Sequence, residues 1–148
     1  FKGDLNGLEA IKVLEKARAD ISKVVICHTD AKTDIKYLKN IAKAGAFFEF
    51  DHIGKDFYFQ DSDFLMDRDI DRVMAIKEMI DSGYIDRILI SQDVCLKTDL
   101  VTFGGFGYAH ILRDIIPMMK NRGISDNEIN KIIIDNPADL LDINDRYL

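Results

Sequence analysis

Val24-Val25-Ile26-Cys27-His28 is the stretch on which the fold turns: four apolar residues run straight into an ionisable side chain. The pattern returns twice, as Phe47-Phe48-Glu49-Phe50 running into Asp51 and His52, and as Ile88-Leu89-Ile90-Ser91-Gln92 running into Asp93. Short runs of this kind suit strands buried under helices in a parallel sheet. The first residues past such strands point into the crevice or barrel mouth where ligands bind. A carboxylate left there without a partner would be heavily penalised. Three such strand ends call for a cation between them, and a metal ion is the simplest.

Working outward, helical periodicity fills the gaps between the runs. Leu8, Ile11, Leu14 and Ala17 share one helix face over 8–17, and Ile35, Leu38, Ile41 and Ala42 do so over 34–44. A third helix is predicted over 70–81 through Val73, Ile76, Lys77 and Ile80, and a fourth over 110–120. Gly45, Gly83 and Gly123 mark three helix ends, since glycine accepts the left-handed conformation that closes a helix. Ser125 and Glu128 have capping-box spacing for a short helix to Ile134, which Asn136-Pro137 is expected to break before another begins over 138–143. Helix and strand alternate, which implies parallel strands joined by right-handed crossovers, an α/β fold. The two long loops, 53–67 and 94–109, both follow strands, where substrate-binding loops of a βα barrel accumulate. Gly104-Gly105-Phe106-Gly107 is not a GxGxxG fingerprint and lies too far past its strand for a dinucleotide turn.

At 148 residues and 47% hydrophobic content, the chain is one domain or part of one. Twenty-six acidic against 20 basic residues give a net charge of −6, and no basic block appears, which argues against a nucleic-acid partner. Two cysteines without CxxC spacing suggest a reduced, cytoplasmic protein, with Cys27 in the core of its strand. No run approaches the length of a membrane span, so no membrane partner is expected. The chain begins at Phe1, as a portion of something longer would.

Five stretches together carry a resemblance: Asp20-Ile21-Ser22-Lys23-Val24-Val25-Ile26-Cys27-His28-Thr29-Asp30; Phe50-Asp51-His52-Ile53-Gly54-Lys55; Ile90-Ser91-Gln92-Asp93; Gly104-Gly105-Phe106-Gly107-Tyr108; and Asp135-Asn136-Pro137-Ala138. Their order and spacing resemble the last part of a phosphotriesterase-family amidohydrolase, and most closely the phosphotriesterase homology branch, grouped with lactonases. The resemblance implies an eight-stranded βα barrel, of which residues 1–148 supply about strands six to eight, the N-terminal strands being absent. It also implies two divalent metals, zinc by expectation, and attack by a metal-bridging hydroxide.

On that map His28 is the sixth-strand metal ligand. Asp93 is the eighth-strand aspartate, both metal ligand and proton acceptor. His52 stands where family members place a histidine that relays protons, with Asp51 and Asp30 as supporting groups. Three residues after the sixth-strand histidine, efficient phosphotriesterases carry an aspartate; here it is Ala31, with Asp30 one place earlier, which fits the homology branch. One histidine and one aspartate cannot hold a two-metal centre, since zinc sites generally take three or four protein ligands. The 148 residues alone are therefore expected to be inactive. Lys55 and Lys97 follow adjacent strands and are candidates to clamp an anionic substituent of the substrate, while His110 is expected to be structural. The expected activity is hydrolysis of a small molecule, a lactone or related ester, with phosphotriester hydrolysis or a non-catalytic barrel remnant as alternatives. The expected partners are the missing barrel segment and, compatibly, a further copy of the chain.

Overall fold

The computed structural model describes residues 6–142. Three parallel strands, β1 (Val25–Ile26), β2 (Phe47–Phe50) and β5 (Ile88–Ile90), form a sheet in the order β1-β2-β5. Register pairs Ile26 with Phe48, Phe48 with Ile88 and Phe50 with Ile90. Helices α1 (Gly7–Lys16), α2 (Ile35–Lys43) and α3 (Asp69–Asp81) precede or join these strands, giving the expected α/β alternation. Strand side chains alternate between faces. Phe48 and Phe50 therefore turn together into one cluster with Ile88, with Leu38 and Ile41 of α2, and with Ile76 and Met79 of α3, every one of them essentially buried. Each such side chain contributes about 1.5–3 kcal/mol relative to remaining exposed. No helix among the described residues is long and apolar enough to cross a membrane.

Helix ends follow the sequence signals. Asp34 accepts from the Tyr37 N–H at 2.9 Å to start α2. Ser125 accepts from Glu128 N–H while Glu128 accepts from Ser125 N–H, the reciprocal cap of α5 (Asp126–Asn130).

Two expectations need correction. The loop over 53–67 contains an antiparallel hairpin, β3 (Tyr58–Phe59) with β4 (Phe64–Leu65), too short to leave a periodic signature. Asn136-Pro137 does not break the last helix. A π-turn over Lys131–Asp135 runs directly into α6 (Asn136–Leu141), and Pro137 lies in the first turn of α6. The same device recurs at Ile111–Ile115, followed by α4 (Ile116–Asn121) with Pro117 in its first turn. A π-turn lengthens the hydrogen-bond step to i→i+5, so the amide that proline lacks falls where the ladder is already shifted. Asn136, fully buried, donates to the carbonyls of Ile85 and Ile88 at 2.7 and 2.8 Å and pins α6 to the start of β5. Ile143, the expected end of that helix, lies outside the described residues.

Asp67 ties the hairpin to the loop after β1, accepting from Lys32 Nζ and Thr33 N–H, each at 2.7 Å. Burial alone would raise its carboxyl, but these donors outweigh it and hold the group below the ordinary carboxylate range. A carboxyl depressed by folding contributes stability that is present above its unfolded value and lost as pH falls through its folded value. Asp67→Asn is therefore expected to cost about 1 kcal/mol near neutral pH. The difference from the parent should vanish in strong acid, below both values. Urea melts across the acid range test this, and a penalty independent of pH would refute it.

Candidate active site

The sheet's carboxyl end brings three turns together. His28, just past β1, has φ 57°, and Asp93, just past β5, has φ 43°. A non-glycine residue in the left-handed region costs on the order of 1–2 kcal/mol, so each needs local compensation. For His28 it is Asp51, at the end of β2: the His28 N–H faces both carboxylate oxygens at 3.1 and 3.0 Å, and Nδ1 lies 2.9 Å from Oδ2. The left-handed turn is what lets backbone and ring meet one carboxylate. For Asp93 it is Lys55, whose ammonium donates to the Asp93 carbonyl and, at 2.8 Å, to its carboxylate.

His52 follows Asp51 and is buried. Its N–H donates to Asp30 Oδ2 at 2.9 Å and its Nδ1 lies 2.8 Å from Asp30 Oδ1. The His28 and His52 rings stack with centroids 4.6 Å apart. Burial alone would lower His28, but the Asp51 carboxylate, with Asp93 and Asp30 beyond it, raises the imidazole above its ordinary value. Asp51 is also raised rather than lowered, because burial and the neighbouring Asp30 charge outweigh what His28 returns. Asp93 is lowered, chiefly by the Lys55 hydrogen bond, with smaller contributions from the two histidines.

Donor atoms of His28, Asp51 and His52 all lie within 4.8 Å of one another. Two imidazoles and a carboxylate form a donor set suited to zinc or a similar divalent ion. A cavity of about 140 Å³ beside them is lined by His52, Lys55, Phe57, Phe59, Met66 and Asp93. The hairpin thus brings apolar walls to a charged floor.

Lys55 and Lys97 part company. Lys55 is buried, with Cys95 Sγ at 3.3 Å and Asp99 at 3.9 Å besides Asp93. Lys97 is exposed and sits over the Phe103 ring, 5.8 Å from its centroid, outside the lining of that cavity. Cys27 corrects another expectation. It is exposed among the described residues, just past the end of β1, and partial desolvation together with Glu49 pushes its thiol up to about 11.

Sequence reasoning missed a buried polar network behind the site. Arg72 on α3 is fully buried, with Nε 3.0 Å from Asp30 and its other nitrogens reaching Asp69 at 3.0 Å and the Lys55 carbonyl at 2.7 Å. Asp69 also meets His110 Nε2 at 2.8 Å, and Nδ1 of His110 lies 2.7 Å from Asp114. The available signal was Arg72 falling in phase with Ile76 and Met79 on the buried face of α3.

The sequence profile of the phosphotriesterase family matches residues 2–141. Among curated relatives, the N-acetyltaurine hydrolase of Dictyostelium discoideum is 43% identical over 139 residues, covering 92% of this chain and 38% of that protein. The N-acetyltaurine hydrolase of Tetraodon nigroviridis is 39% identical over 136 residues, covering 90% of this chain and 39% of that protein. Among solved structures, a resiniferatoxin-binding protein from Rhodobacter sphaeroides superposes with a TM-score of 0.91 at 32% identity, over 95% of this chain and 40% of that one. The phosphotriesterase homology protein from Escherichia coli, complexed with phosphate in its active site, gives 0.79 at 27% identity, over 90% of this chain and 43% of that one. The chain therefore spans about two fifths of the length of these relatives.

Proposed function

From the chain's membership of the phosphotriesterase family, we propose that these residues form the carboxyl-terminal part, about strands six to eight, of a (βα)8 barrel and one side of a metal-dependent hydrolase site. The observation that carries the reading is the convergence of His28, Asp51 and His52 at the sheet's carboxyl end, with Asp93 beside them. In this reading His28 and Asp93 hold metal, Asp51 and His52 stand beside it as supporting groups rather than ligands, and further ligands come from barrel strands outside these residues. A bound divalent ion, zinc by preference, supplies Lewis acidity toward the scissile carbonyl and lowers the pKa of water.

The chain's own residues do the rest. Asp51 fixes the His28 ring through Nδ1, the usual arrangement for a ligating histidine. Asp93 accepts a proton at its carboxylate, and Lys55 keeps that carboxylate ionised and oriented. His52, held through Nδ1 by Asp30, moves the proton outward. Phe57, Phe59 and Met66 give the cavity its apolar side.

The substrate that fits best is an N-acyl amide with an acidic end, of the N-acetyltaurine kind. The two relatives at 39–43% identity carry that activity in their names. Lactone opening is the second reading, favoured by similarity at 25% identity to a lactonase from Deinococcus radiodurans; phosphotriester hydrolysis rests on an organophosphorus hydrolase from the same organism at 25%. The test is to assay the complete gene product on N-acetyltaurine, a γ-lactone and an aryl phosphotriester, before and after chelation and metal restoration. The amide should give the highest kcat/KM, and chelation should abolish it. Activity that survives complete chelation overturns the metal reading, and a lactone exceeding the amide replaces the substrate.

Of the two lysines proposed to meet the substrate's anionic end, Lys55 lines the cavity but is engaged by Asp93, and Lys97 lies outside that lining but is exposed. Lys97→Ala is expected to raise KM for the sulfonated amide about three- to tenfold with kcat unchanged, since such a contact binds ground and transition states alike. An equal effect on a neutral N-acetyl amide would sink the assignment.

A further inference from the structure

We infer that Arg72 is a positioning residue, one buried guanidinium that sets both His52 and Lys55 for their work at the site. Its side chain is 1% exposed, on a helix face shared with Val73, Ile76 and Met79. An ion in such a place is weak evidence for stability, because a well-packed apolar side chain of similar volume usually serves a core as well or better. What distinguishes Arg72 is where its bonds lead. Nε faces the Asp30 carboxylate at 3.0 Å, and Asp30 in turn grips both the N–H and Nδ1 of His52. NH2 donates to the Lys55 carbonyl at 2.7 Å, and Lys55 holds Asp93. NH1 meets Asp69 at 3.0 Å, and the same Asp69 oxygen accepts from Gly54 N–H at 2.8 Å.

Three donors of one rigid planar group therefore fix the turn after β1, the turn after β2 and the start of α3 relative to one another. Gly54, at φ 88°, is where the second of those turns bends to bring Lys55 round. A lysine at position 72 would keep the charge but not the fork, so it could not hold Asp30, Asp69 and the Lys55 carbonyl together. The prediction separates geometry from charge on that ground.

The kinetic arm rests on the proposed hydrolase reading; the spectroscopic arm does not. In the complete gene product, Arg72→Lys should lower kcat about tenfold or more with KM changed less than about threefold. The melting temperature should fall while the variant still folds, so turnover is taken per folded protein, and the ¹⁵N resonance of His52 Nδ1 should leave its parental position. Asp30→Asn should give a similar loss, and the double variant should lose clearly less than the product of the two single losses, because the pair share the Arg72–Asp30 contact while the arm to Lys55 is Arg72's own. If Arg72→Lys does not fold, Asp69→Asn, which loosens one arm of the fork and leaves Asp30 in place, should lower kcat about two- to fivefold and shift the same resonance. Parental kcat with an unmoved His52 signal in the variant that folds overturns the inference, as does strict additivity of the 30 and 72 substitutions. A parent inactive on every substrate would instead remove the hydrolase reading, with the His52 resonance still deciding the role of Arg72.

Discussion

Asp93→Asn in the complete gene product is expected to lower kcat by about 10²–10⁴-fold, the range for loss of a positioned proton acceptor, while leaving the fold standing. The amide side chain keeps the size of the carboxylate and can still accept from Lys55, but it cannot take up a proton or offer an ionised ligand. Lys55 retains the carbonyl of residue 93 and has Asp99 at 3.9 Å. With Asp93 partly exposed, the stability cost should stay within about 1 kcal/mol. Parallel turnover and thermal-melt measurements decide it. Loss of activity in proportion to loss of folded protein would reduce Asp93 to a structural role, and full turnover would remove it from the chemistry.

Asp51→Asn carries the second large effect. Asp51 meets both the backbone and the ring of His28, and its loss loosens the imidazole while taking away a charge that favours a cation. Outer partners of this kind are commonly worth 10–100-fold in metal affinity, so the dissociation constant for zinc should rise by about that factor. His28→Ala should weaken binding further. Competition against a chromophoric chelator measures both. Affinity unchanged in both variants would place the metal elsewhere in the protein.

The strand ends were legible because burial leaves little choice of residue: Phe48, Phe50 and Ile88 had to be apolar, and His28, Asp51 and Asp93 stood out as the first residues that were not. Helix ends were legible through Gly45, Gly83 and Gly123, which take φ values of 93, 83 and 80°. The hairpin escaped because strands of two residues show no alternation. Arg72 escaped because an arginine among apolar neighbours looks like a solvated side chain until Asp30, 42 positions away, is seen to meet it. The pairing of Lys55 with Asp93 escaped for the same reason, the two lying 38 positions apart.

The two π-turns act as phase shifters. Each inserts the equivalent of one residue, about 100° of rotation on an α-helix, so the faces before and after it point along different bearings. Before the second turn, Ile129 faces the core; after it, the new bearing is the one that aims Asn136 at the carbonyls of Ile85 and Ile88. Deleting any one residue from 131–135 would restore a regular helix and at the same stroke swing Asn136 away from β5, setting Pro137 against an intact ladder. This segment is therefore intolerant of a change in length, the reverse of an ordinary surface loop, and its buried Ile132 ties it to the core besides.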